Sequence, residues 1–262
     1  MASIQLQLRN FELTEHYANL VLDYDRNKFN ALKVLSVLDR KTGNKLLADN
    51  YIKIISKLDP LSHFADFERY LINPSQDNLL QFTSTITNEM PYQTYLELAL
   101  IYYNMGQKND ALQVLEKAPT HPLITLWKAY LTDDGSLLNE VIAASVEFVF
   151  PYRTETVSAL KWALSKSNSW KLKYYLALNY SSIQRDKDAL QMFMSCSQEP
   201  DYAPFYLARA FFVRKNIDNQ ELLDLQRAYQ LAPDDWRAVN ELIRYYDDKK
   251  NYQMTLNLST TA

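Results

Sequence analysis

Glycine is scarce in this chain of 262 residues: there are three, where an average protein carries ~7%. Rossmann and P-loop proteins need clustered glycines for their phosphate turns, and β-rich folds need them in hairpins. Three dispersed glycines supply neither. Cysteine is scarcer still. Cys196 stands alone, so no disulfide can close within the chain, and a free thiol fits a reducing compartment. Neither sign of charge dominates: 28 Lys and Arg face 31 Asp and Glu, for a net charge of −3. That leaves no basic footprint for nucleic acid. No apolar run approaches the ~18 residues needed to span a bilayer; LITLWKAYL at 123–131 is short and carries Lys128. The N-terminus, MASIQLQLRNFELTE, lacks the apolar stretch and cleavage signal of a secretory leader. A soluble, cytoplasmic chain without a membrane partner is expected.

Catalytic constellations are missing too. His16, His63 and His121 are far apart and form no HxxxH or HExxH pair, so they read as exposed or boundary histidines. The acidic pairs Asp133-Asp134, Asp234-Asp235 and Asp247-Asp248 fall in expected turns or helix ends, where carboxylates cap helices. No GxSxG, P-loop or CxxC occurs. The sequence therefore offers no catalytic, cofactor-binding or metal site, and a non-enzyme is expected.

What is present is a helix former's composition. The chain is 47% hydrophobic and holds 19 tyrosines, with abundant Leu, Ala and Lys, which points to an all-α protein. Residues 96–119, LELALIYYNMGQKNDALQVLEKAP, read as two helices joined at Gly106. Tyr95, Leu98 and Tyr102 share one face at helical spacing. Ala99 and Ala111 are small enough to let the two helices cross closely. Gly106 ends the first helix, where a left-handed residue costs glycine nothing. Asn109 or Asp110 can cap the second.

The same arrangement recurs. Phe29, Trp170, Tyr202 and Trp236 each open a comparable unit, as Tyr92 does here. Ser36 and Ala48 match Ala99 and Ala111, as do Ala177 and Ala189, while Gly43 matches Gly106. Arg209 stands where the Tyr202 unit should have a small residue. Pro60, Pro91, Pro119, Pro122, Pro200 and Pro233 lie at or near unit boundaries, as expected for a residue that costs ~3 kcal/mol inside a helix. Cys196 falls on a small buried place and reads as a packed thiol.

This pattern resembles the tetratricopeptide repeat (TPR), a 34-residue helix pair. The resemblance spans about residues 28–262. It implies an all-α, TPR-like α-solenoid of antiparallel helix pairs, a right-handed superhelix of roughly 14–16 helices. The expected organisation is an N-terminal helical cap at 1–27, repeats at 28–132, an irregular helical joint at 133–168 and repeats at 169–262, in one continuous solenoid. Pro151 and the excess length between Tyr92 and Trp170 mark the joint. The phrases LDPLSHFADFERYL, WKLKYYLALNY and EPDYAPFYLARA further resemble the helical region of large bacterial TPR proteins, in which a β-rich domain of unknown function precedes the repeats. That likeness implies a chain that is the C-terminal part of a longer parent.

The resemblance implies a non-catalytic scaffold for protein–protein interaction. In such arrays the first helix of each pair lines a concave groove, and the residues placed there are Leu96, Leu100, Tyr103, Lys171, Tyr174, Leu178, Tyr206, Arg237, Asn240 and Arg244. TPR proteins that grip a C-terminal carboxylate set Lys and Asn one helical turn apart. Here the corresponding pairs are Lys33/Val37, Leu96/Leu100, Tyr174/Leu178, Tyr206/Ala210 and Asn240/Arg244, so no such clamp is expected. The sequence leaves two readings of the apolar groove open: an interface for a protein or peptide, or a stretch buried as core by tight curvature or a neighbouring domain. Partners are thus another protein, a peptide or another domain of the same parent, with no nucleic acid. The final stretch, NYQMTLNLSTTA, has no polar capping helix after it, which suggests a homodimer through the last helices. The alternative role is a structural helical arm of a larger enzyme or carbohydrate-related protein whose active site lies outside this chain.

Overall fold

The computed structural model describes residues 1–214, 217 and 219–261. The chain divides into two compact units, Met1–Thr132 and Asp133–Ala262. All regular structure among the described residues is helical.

In the first unit, α1 (Ala2–Gln7) and α2 (Phe11–Tyr24) precede three helix pairs. These are α3 (Phe29–Thr42) with α4 (Lys45–Leu58), α5 (His63–Ile72) with α6 (Gln76–Ser84), and α7 (Pro91–Asn104) with α8 (Lys108–Glu116). Helix α9 (Pro122–Thr132) closes the unit. The second unit begins with a 3₁₀ turn at Gly135–Leu137 and α10 (Leu138–Ala143). A non-helical segment, 144–155, leads to α11 (Thr156–Lys166). Three pairs follow: α12 (Trp170–Ser182) with α13 (Asp186–Ser195), α14 (Ala203–Val213) with α15 (Gln220–Leu231), and α16 (Trp236–Asp248) with α17 (Tyr252–Thr261). Among the described residues the 17 α-helices slightly exceed the expected number, α1 and α10 being only six residues each.

Four of the six pairs, α3/α4, α7/α8, α12/α13 and α16/α17, are closed by the same turn. The chain reverses at Gly43 (φ 89), Gly106 (φ 74), Gln184 (φ 61) and Lys250 (φ 58), all left-handed. Around each, one amide bonds three residues back and the next five residues back. The latter bonds are Asn44 N–H to Asp39 O (2.7 Å), Gln107 to Tyr102 (2.9 Å), Arg185 to Tyr180 (2.8 Å) and Asn251 to Tyr246 (2.8 Å). This is the Schellman closure, which satisfies the carbonyls left over at a helix end. The short reversal forces the second helix to run back antiparallel along the first. The helices can then approach because Ser36, Ala48, Ala99, Ala111, Ala177 and Ala189 are small where they cross, and all six are buried.

Buried charged groups hold neighbouring helices together, between pairs in the first unit and within a pair in the second. In the first unit Arg40 of α3 donates to Glu68 of α5 (2.8 Å, twice) and to Asp110 of α8 (2.7 Å), and Lys41 joins Asp110 at 2.8 Å. In the second, Arg209 of α14 forks onto Asp224 of α15 at 2.9 and 2.7 Å, with both side chains fully buried. Such pairs are costly to desolvate, so they fix register more than they add stability.

Candidate functional site

The structure separates the expected groove residues into two groups. Leu96 (1% exposed), Leu100 (5%), Tyr174 (6%) and Tyr206 (0%) are core. Tyr174 is enclosed by the rings of Trp170, Phe193, Tyr202 and Phe205, at 5.5–6.4 Å. Half-buried Tyr103 packs edge-on against Trp127 of α9 at 5.2 Å, and its hydroxyl meets that of Tyr130 at 3.1 Å. Tyr103 of α7 is thus engaged by α9. Leu178 is half-buried, and Lys171 donates to the carbonyl of Ala144 at 2.6 Å. Arg237, Asn240 and Arg244 line an open hollow.

Tyr206 is misplaced in the sequence reading by one residue. Helix α14 starts at Ala203 and buries Tyr206, Arg209, Ala210 and Val213. Counting the unit from Ala203 instead of Tyr202 puts Ala210 at the small crossing place and Arg209 in the core. One residue rotates a helix by about 100°, so the inner face becomes Pro204, Leu207, Phe211 and Arg214. The signal was present: Arg209 sat where a small residue belongs, directly beside Ala210.

The hollow, about 750 Å³, lies among α14, α15 and α16. Its apolar lining includes Leu207, Ala210 and Leu225, and Ala210 and Leu225 belong to a buried cluster with Leu242. Two large aromatic residues are exposed at it, Phe211 at 68% and Trp236 at 72%. Three arginines surround them. Asp235 caps α16 by accepting from Arg237 N–H at 3.0 Å, and its carboxylate also takes the Arg237 guanidinium at 2.7–3.2 Å. This fork raises the Arg237 pKa and lowers that of Asp235. Arg214 bridges Glu241 at 2.7 Å and Glu221 at 2.6 Å, and the hydrogen bonds it donates to these carboxylates raise its pKa. Arg244 shares Glu241 at 3.1 Å. The arginines are therefore held in place by carboxylates beside an apolar floor.

A second hollow, about 700 Å³, is lined by Leu20, Val21 and Tyr24 of α2 with residues of α1 and α3; it is apolar and carries Lys28 and Asp25.

The remaining polar residues have local duties. Asp134 caps the 3₁₀ turn through Ser136 N–H at 2.9 Å, and Asp133 accepts from Trp162 Nε1 at 2.7 Å. His63 Nδ1 meets Thr85 Oγ1 at 3.2 Å, and His121 stacks on Tyr92 at 3.5 Å. Cys196 is buried against the carbonyls of Met192 and Trp170 at 3.4 and 3.6 Å, and burial pushes its thiol up to about 12. Among the described residues, no three His, Cys, Asp or Glu are grouped to hold a metal ion. Among them, too, no helix is long and apolar enough to cross a membrane.

The repeated Schellman reversal, the small crossing residues and regular structure that is all helical among the described residues define the class: an all-α protein of TPR-like helix pairs. No protein-family model matches the chain, and no curated protein matches it in sequence. Among solved structures it is similar to YrrB, described as a TPR protein with an unusual peptide-binding site, at 13% identity over 85% of this chain and 96% of that one, with a TM-score of 0.32. It is also similar to the APC/C hetero-tetramer Cut9-Hcn1, at 15% identity, 93% of this chain, 47% of that one and a TM-score of 0.32. A third is the C-terminal part of a TPR repeat-containing protein from Cytophaga hutchinsonii, at 14% identity, 92% and 98% coverage and a TM-score of 0.35.

Proposed function

We propose that the chain is a non-catalytic scaffold that binds a protein partner in the hollow of α14, α15 and α16. One observation supports this above all: Trp236 and Phe211 stand exposed over an apolar floor, ringed by Arg214, Arg237 and Arg244. Exposed aromatic and arginine side chains clustered around a concavity are the composition of an interface hot spot. Their desolvation by a partner is favourable, and the arginines can exchange part of their pairing with Asp235 and Glu241 for a partner's carboxylate. The fitting partner is a peptide segment with apolar side chains for the floor and an acidic group at its edge.

Selection from a displayed random peptide library tests the reading. Enriched peptides should combine acidic with apolar residues and should bind Trp236→Ala and Arg237→Ala at least tenfold more weakly than the native chain. Peptides that bind both variants as tightly as the native chain would overturn it. Mass in solution across a concentration series separates this reading from self-association through α17, which predicts a dimer that survives the Trp236 substitution.

A further inference from the structure

The repeated pairs supply their own reference for what a second helix looks like. Ala48, Ala111 and Ala189 hold the same crossing place in α4, α8 and α13, and all three are buried. Counted from them, Leu46, Leu47 and Ile54 match Asn109, Asp110 and Lys117 in one unit and Lys187, Asp188 and Ser195 in the other. On α8 and α13 every exposed residue is polar or charged, as a solvated helix face requires. On α4, by contrast, Leu46, Leu47, Ile54 and Leu58 are 38–74% exposed. Helix α4 is also longer, 14 residues against 9 and 10, and Leu58 is its last residue.

These residues form a seam. Leu47, half-buried Tyr51, Ile54 and Leu58 alternate four-, three- and four-residue steps, the spacing by which one helix packs along another. The seam runs for three turns, about 16 Å. An extended peptide turns its side chains to alternate faces at every residue and does not match that repeat. The two edges of the seam differ in charge. Exposed Lys57 flanks it directly, and exposed Lys53 stands one turn earlier and farther out. Asp49, the one acid on α4, pairs with Lys53 at 2.6 Å, and Lys57 has no ion-pair partner among the described residues. On the opposite edge lie the carboxylates of Asp39 in α3 and Glu15 in α2; burial first, and then these charges, raise the Tyr51 pKa.

We propose that the exposed face of α4 is a second docking surface whose partner is an amphipathic helix of another protein, with its apolar stripe on Leu47, Tyr51, Ile54 and Leu58 and an acidic flank against Lys57 and Lys53. The attraction comes from removing the partly exposed apolar side chains from water. The lysine edge sets which flank of the incoming helix turns toward it. The α4 of a second copy cannot supply that flank, because Asp49 is its one acid and already serves Lys53. The surface belongs to the second helix of its pair and does not depend on the hollow among α14, α15 and α16.

The probe is a fluorescein-labelled synthetic peptide of three heptads with Ile and Leu in its seam and Glu at both flanking positions, which repels its own copies and stays monomeric. Its counterpart carries Lys at those positions. The Glu peptide should bind the native chain roughly tenfold or more tightly than the Lys peptide, and more weakly as salt is raised. Leu47→Gln/Ile54→Gln should weaken that binding roughly tenfold or more, and Lys53→Glu/Lys57→Glu should reverse the preference between the two peptides. All four positions are exposed, so both variants should keep the native circular dichroism and melting temperature. Equal binding of the two peptides, no saturable binding of the Glu peptide at about 1 mM, or full binding by the Leu47→Gln/Ile54→Gln chain would overturn the proposal. So would a dimer of the native chain that this double variant abolishes in sedimentation, which would assign the face to a second copy. Adsorption to phosphatidylserine–phosphatidylcholine vesicles that the same variant loses would also overturn it and assign the face to a membrane surface.

Discussion

Gly106 and Gly43 make the same left-handed turn in different surroundings. A Cβ on Gly43 would meet nothing within 4 Å, whereas one on Gly106 would strike Gln7 Cα and Cγ at 2.8 Å. Gly43→Ala should thus cost only the backbone strain, about 1–2 kcal/mol. Gly106→Ala should cost more, because α1 must also move. Gln184 makes the turn without being glycine, so Gln184→Gly should stabilise the fold by about 1 kcal/mol. Denaturant midpoints of the three variants check the order; Gly43→Ala as damaging as Gly106→Ala would contradict it. The glycines were legible in the sequence as hairpin turns. The contact with Gln7 was not, because it joins residues far apart along the chain.

At the scale of elements, the buried fork between Arg209 and Asp224 sets how α14 lies on α15. Gln220 and the carbonyl of Ser197 complete its hydrogen bonds. Removing one partner leaves a buried charge: Arg209→Leu should lose about 3–5 kcal/mol, while Arg209→Leu with Asp224→Leu should recover most of it. Thermal and urea unfolding of the two variants measure the difference, and equal losses would show that the ion pair itself is stabilising. Sequence reasoning met Arg209 only as a departure from the repeat. A lone arginine in a pattern does not say which carboxylate, fifteen positions on, folds back to meet it. The non-helical segment 144–155, whose Ala144, Arg153 and Tyr152 carbonyls accept from Lys171, Asn179 and Ser182 of α12, was legible in the same incomplete way. Pro151 and the excess length marked a joint, but its carbonyls carry no side-chain signature that could pair them with α12.

For the whole molecule, the aromatic richness has a pH consequence shared by both units. Burial raises the pKa of Tyr102 in the first unit and of Tyr174 and Tyr175 in the second, and that of Cys196 to about 12. The native state keeps these protons, while the unfolded chain releases them from about pH 9 to 10 upward. Stability is therefore fully present below about pH 9 and is lost as pH rises beyond it. In an ultraviolet titration most of the 19 tyrosines should ionise near pH 10, with the buried ones following only as helical circular dichroism collapses. A single smooth titration of all tyrosines in a chain that stays helical would contradict this.

The sequence by itself determined the helices, their hairpin turns and the small residues at their crossings. Each of these depends on local backbone preference and on spacing within about thirty residues. It also supplied the repeat that makes the pairs TPR-like. Only the tertiary structure decided which inner-face residues are open. Leu96, Leu100, Tyr174 and Tyr206 were closed into the core, while Phe211 and Trp236 were left exposed. The physical reason is that exposure is set by what packs against a helix from elsewhere in the chain, and by a rotation of about 100° for each residue of register.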